Sequence, residues 1–121
     1  MATIKSYTDL SQSKTLSKIL PLESADMRYD EYTSHIDGTP KVGYKEGITE
    51  GIPCWSFAAL LELLPKRLEI EDNVYELNIC LYGPYYWNIT NGNLCFELKD
   101  KDNLVDACYE LILKLNELNL L

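Results

Sequence analysis

The chain is poor in the groups that most small enzymes use. It has one histidine, His35, in 121 residues. A Ser, Thr or Cys nucleophile needs a base within hydrogen-bond reach, and no spacing ties His35 to Cys54 or Ser56. No catalytic residue is therefore assigned. No glycine-rich loop of the kind that cradles phosphate is present. The four cysteines, Cys54, Cys80, Cys95 and Cys108, contain no Cys-x-x-Cys pair, and each lies in an apolar segment. They read as buried free thiols and not as metal ligands or a disulfide frame. Asp100-Lys101-Asp102-Asn103 begins like a calcium loop but lacks the glycine and distal glutamate that complete one. The neighbouring carboxylates Asp30/Glu31 and Glu71/Asp72 read as solvated charge. Neither a metal nor a cofactor is expected.

Long apolar runs are also missing. No segment reaches the roughly 18 apolar residues that would span a bilayer, and Met1 to Ser6 lack the hydrophobic run of a signal peptide. A cytoplasmic location is the expectation, and in that setting the Asn88-Ile89-Thr90 sequon has no role. Basic charge is scarce: eleven Lys and Arg face nineteen Asp and Glu, a formal net charge of -8. The basic residues are scattered, so phosphate backbones and anionic membranes are repelled. Direct nucleic-acid binding and membrane association are disfavoured, whereas the excess of carboxylates suits a basic protein partner.

With 46% hydrophobic residues the chain can build an ordinary core, and residues 1–121 read as a single domain. Its organising stretch is Tyr85 to Leu98, which reads as a hairpin closed by a two-residue Asn91-Gly92 turn. Asn and Gly best tolerate the positive φ of a type I′ turn. That register places Ile89 opposite Leu94, Trp87 opposite Phe96 and Tyr85 opposite Leu98, and leaves Tyr86 and Asn88 on the other face.

Ahead of it, Thr8 or Ser6 caps a thin surface helix that carries Leu10, Leu16, Ile19 and Leu20 and ends at Pro21. Asp26 to Ser34 and Lys41 to Lys45 form a weak hairpin at a sheet edge, and Glu46 to Gly51 a loop. Ile52 to Pro65 reads as a buried helix entered at Pro53, apolar around most of its circumference. Lys66 to Asn73 is a charged connection. Val74 to Tyr82 alternates as a strand, Gly83-Pro84 turns the chain, and the hairpin completes a three-strand meander. After an Asp102 or Asn103 cap, Leu104, Cys108, Leu111, Ile112, Leu115 and Leu118 recur at helical spacing, a stripe long enough to cover the meander. The expected fold is α+β: an antiparallel sheet, made of the meander plus a weaker hairpin, with about three helices packed mainly on one face.

The aromatic cluster Tyr82, Tyr85, Tyr86, Trp87 is the one feature with recognition value. In the hairpin register Tyr85 and Trp87 are core, and Tyr82 and Tyr86 become the candidate partner-binding residues on an exposed strip.

Three segments, Leu20 to Met27, Ile52 to Pro65 and Asn103 to Leu111, together resemble a family of small, uncharacterised acidic proteins encoded by bacteriophages and mobile elements of gut bacteria. The likeness extends over most of the chain and is weakest from Tyr29 to Gly51. It implies an accessory protein of a phage or integrated element and supplies no site residue. The combined expectation is a non-enzymatic protein-binding or regulatory module, in its sharpest form an acidic inhibitor that fills a basic groove. One alternative is a small-molecule binder or enzyme with a pocket between the Trp55 helix and the meander, where Tyr86 or His35 would serve as polar handles. Another is a structural homodimer that buries the aromatic strip or Leu118 to Leu121.

Overall fold

The structure, a computed structural model, describes residues 5–29, 41–42, 51–96 and 103–121. The order of elements is α1 (Leu10–Leu16), β1 (Met27–Tyr29), β2 (Lys41–Val42), β3 (Ile52–Cys54), α2 (Phe57–Leu63), β4 (Arg67–Ile70), β5 (Asn73–Cys80), β6 (Gly83–Asn88) and α3 (Leu104–Glu117). A single 3-10 turn at Leu22–Ser24 follows α1. Two antiparallel three-stranded sheets, ordered β2-β1-β3 and β4-β5-β6, combine with the three helices in an α+β architecture.

The cap of α1 is Asp9, not Thr8 or Ser6. Asp9 Oδ1 accepts from the backbone N–H of Gln12 at 2.8 Å, and Gln12 Oε1 accepts from that of Asp9 at 3.1 Å, a reciprocal capping box. Thr8 is thereby free to turn inward, where it is fully buried. Its hydroxyl oxygen accepts from the backbone N–H of Trp55 at 3.1 Å and lies 2.8 Å from Ser13 Oγ, while its carbonyl accepts from the Tyr29 hydroxyl at 2.7 Å. Thr8 N–H donates in turn to the Trp55 carbonyl at 2.9 Å. The first helix is therefore anchored through a satisfied polar cluster together with Leu16, and does not dock weakly on the surface.

The expected weak hairpin is the β1–β2 pair, with Met27 opposite Val42 and Arg28 opposite Lys41. β1 is nevertheless the central strand of its sheet, because β3 pairs on its other side. Ile52-Pro53-Cys54 is that strand and not a helix entrance. Pro53 has no N–H to give a ladder and is tolerated because β3 forms a sheet edge. The helix begins after Ser56, whose Oγ accepts from the Ala59 N–H at 3.2 Å, and it buries Leu60. The Ser56 hydroxyl donates to Asp26 Oδ2, and its N–H donates to Asp26 Oδ1 at 2.9 Å, which ties the start of α2 to the residue before β1.

The meander is β4-β5-β6, one strand earlier than expected. Arg67-Leu68-Glu69-Ile70 is a strand whose Leu68 is buried opposite Tyr75, with the charged residues alternating outward. Its turn is Glu71-Asp72, with φ of 49° and 67°, so the left-handed two-residue geometry expected at Asn91-Gly92 is found here. The second turn is Leu81-Tyr82, since Cys80 pairs with Gly83, and Gly83-Pro84 already belong to β6.

At the far end of β6, Asn88 reorganises the expected hairpin. Its Oδ1 accepts from the N–H groups of Thr90 at 2.8 Å and Asn91 at 3.2 Å, and its own N–H donates to the Asn93 carbonyl at 2.8 Å. The loop thus runs from Ile89 to Gly92, and Trp87 bridges to Leu94 instead of Phe96. Glu97 and Leu98, with the Tyr85 to Leu98 pairing, lie outside the described residues.

Asn103 caps α3 as expected, its Oδ1 accepting from the Asp106 N–H at 2.8 Å. The stripe Val105, Cys108, Leu111, Ile112 and Leu115 is buried together with Tyr86, Leu68, Leu60, Leu64, Trp55 and Leu16. This core lies between α3, which packs on β6, and α2. Burial at this depth makes truncation costly: Ile112→Ala removes roughly 2–5 kcal/mol of stability.

Candidate interaction surface

A side chain at the tip of a two-residue turn has no element beneath it. Leu81 is 95% exposed, Tyr82 59% and the preceding Ile79 50%. Leu81 and Tyr82 form the β5–β6 turn, whose Tyr82 N–H donates to Cys80 Sγ at 3.4 Å. The root of this tip is held firmly. Gly83 takes φ of 121°, and a Cβ built there would run into the Cβ of Ala107 on α3, so only glycine lets helix and hairpin approach this closely. Three large apolar side chains therefore stand in water on a well-anchored hairpin, an arrangement suited to insertion into an apolar recess of another protein.

Of the two candidate partner-binding residues, Tyr82 is exposed at this tip and Tyr86 is buried. Tyr86 is 1% exposed, pairs with Leu77 and meets the Phe96 ring edge-on at 6.3 Å between centroids. Its hydroxyl donates to the Pro65 carbonyl at 2.6 Å, and burial raises its pKa. The face assignment of the hairpin is reversed: Tyr86 and Asn88 are buried, whereas Tyr85 and Trp87 are half-buried on the outer face. Trp87 Nε1 is shielded from water and finds no acceptor among the described residues. Ile89 and Leu94 stand exposed at that end of the sheet.

Of the two polar handles expected for a pocket beside Trp55, Tyr86 is taken up by the core. Trp55 is fully buried and its indole N–H donates to Ser24 Oγ at 2.9 Å, while the Tyr86 hydroxyl is engaged as described. His35 and the Asp30/Glu31 pair lie outside the described residues. Cys54 is buried against Thr8, and burial, opposed by hydrogen bonds from Thr8, Ser13 and Tyr29, raises its pKa, so the thiol is held in its protonated and unreactive form. Burial likewise raises Cys95 and pushes Cys108 up to about 12. All four thiols are free; Cys54 and Cys108 are buried as expected, and Cys80 and Cys95 only partly. The Glu71/Asp72 pair forms the left-handed turn, both residues exposed.

Among the described residues, the exposed carboxylates are not gathered on one face. Exposed carboxylates ride on Asp9, Glu62, Glu69 and Glu117, interleaved with exposed Lys14, Lys66, Arg67 and Lys114 on the same or adjoining elements. Arg67 and Glu76 pair across β4 and β5 at 3.0 Å. The inhibitor of a basic groove needs clustered carboxylates, and the described residues supply no such cluster.

Sequence reasoning missed Leu81 and Ile79 by treating both as members of an alternating strand. The signal that could have found them is charge: from Leu77 to Phe96 no residue is charged, in a chain that is 25% charged. Ile79, Leu81, Tyr82, Ile89 and Leu94, all exposed, fall within that segment.

No helix among the described residues is long and apolar enough to cross a membrane. Comparison with models of protein families, with curated proteins and with solved structures finds no match.

Proposed function

We propose that the protein is a non-enzymatic protein-binding or regulatory module that presents the Leu81-Tyr82 hairpin tip to a protein partner. The observation that carries this reading is the exposure of Ile79, Leu81 and Tyr82 within a segment free of charge. Exposed apolar anchors in a stretch depleted of charge are what the centre of a protein interface uses. The setting, an accessory protein of a phage or mobile element, rests on the resemblance of the three segments named above. Affinity capture from a bacterial lysate tests it. The tagged protein retains a specific partner, and Leu81→Ser/Tyr82→Ser loses it while the circular dichroism spectrum is unchanged; equal retention by both proteins overturns the reading.

A second reading, a homodimer, draws on the exposure of Leu118 and Leu121 at the end of α3. Sedimentation equilibrium separates the two. A dimer mass that falls to the monomer value in Leu118→Ser/Leu121→Ser supports self-association.

A further inference from the structure

No further inference is drawn: the strongest candidate, the half-exposed outer face of the meander where Trp87 and Leu94 lie beside Ile89, is an unpartnered apolar patch, and nothing in the structure shows what covers it.

Discussion

Asn88 is 2% exposed, and every polar atom of its side chain is engaged, since its Nδ2 also donates to Asn73 Oδ1 at 3.1 Å. A buried group that loses its partner costs more than the bond itself contributes. Asn88→Ala removes the acceptor that orders the Thr90 and Asn91 N–H groups together with the bond to Asn73, and should lower stability by roughly 1–3 kcal/mol in urea unfolding. Thr8→Val keeps the shape of the buried side chain and removes its hydroxyl, leaving the Trp55 N–H without an acceptor, with a loss of similar size. A cost near zero for both would show that these contacts do not hold the fold. The capping residues at Asn103 and the stripe of α3 were legible from sequence, because a short polar side chain followed by apolar residues at steps of three and four has few other uses. Thr8 was not. A threonine before a helix is usually its cap, and only the Asp9–Gln12 box, one residue later, released it into the core.

Among the elements, turn geometry decided what the sequence pattern left open. Tyr85, Tyr86 and Trp87 place aromatics on both faces of β6, so alternation alone cannot choose the buried one. Any two-residue turn between β5 and β6 pairs odd-numbered residues with even-numbered ones. The Tyr75 and Leu77 face, correctly read from β5, therefore brings Asn88 and Tyr86 with it. The chain held that information, and the Asn-Gly signal outweighed it. β3 was hidden by Pro53, which also suits a helix entrance, and β4 by its charges, which occupy the outward positions of a strand.

The Glu71-Asp72 turn gives an element-level test. Left-handed φ at residues other than glycine costs about 1 kcal/mol or more each. Glu71→Asn/Asp72→Gly should raise stability by roughly 1 kcal/mol, seen as a higher urea midpoint at unchanged slope. Gly83→Ala should do the opposite and destabilise strongly, because its Cβ meets Ala107 at a φ that L residues avoid. If Gly83→Ala is tolerated, the close approach of hairpin and α3 is wrong.

For the whole molecule, ionisable groups set a stability window in pH. Burial works against charge on Asp106, but Lys5 Nζ at 2.8 Å, together with Gln12 and Asn103, outweighs it and holds the carboxyl below its ordinary value of 3.8. A carboxyl depressed in the folded state contributes stability above the unfolded pKa, and that contribution is lost as pH falls through the folded one. Stability should therefore decline as pH drops below about 4, and Asp106→Asn should flatten that decline. On the alkaline side burial, partial at Cys95, raises the thiols of Cys54, Cys95 and Cys108 from 9.0 and the hydroxyls of Tyr29 and Tyr86 from 10.0. Each keeps its proton more tightly when folded, so this contribution is complete below the unfolded values and disappears as pH rises through the folded ones. Urea midpoints measured from pH 7 upward should begin to fall near pH 9, with the thiols first.

At the same scale, the residues that hold the fold are distinct from the tip proposed to meet a partner. The core engages Tyr86, Trp55 and the buried cysteines, and among the described residues the carriers of charge include the helices, β4, Glu76 of β5 and the Glu71-Asp72 turn. The Leu81-Tyr82 tip is left as apolar surface without a structural task. Photo-crosslinking tests this most directly, with a benzoyl-phenylalanine placed at Tyr82 in one protein and at Lys14, an exposed position on α1, in another. The account predicts a discrete crosslinked protein from position 82 in bacterial lysate, abolished by Leu81→Ser, and none from position 14. Equal crosslinking from both positions, or from position 14 alone, would contradict it.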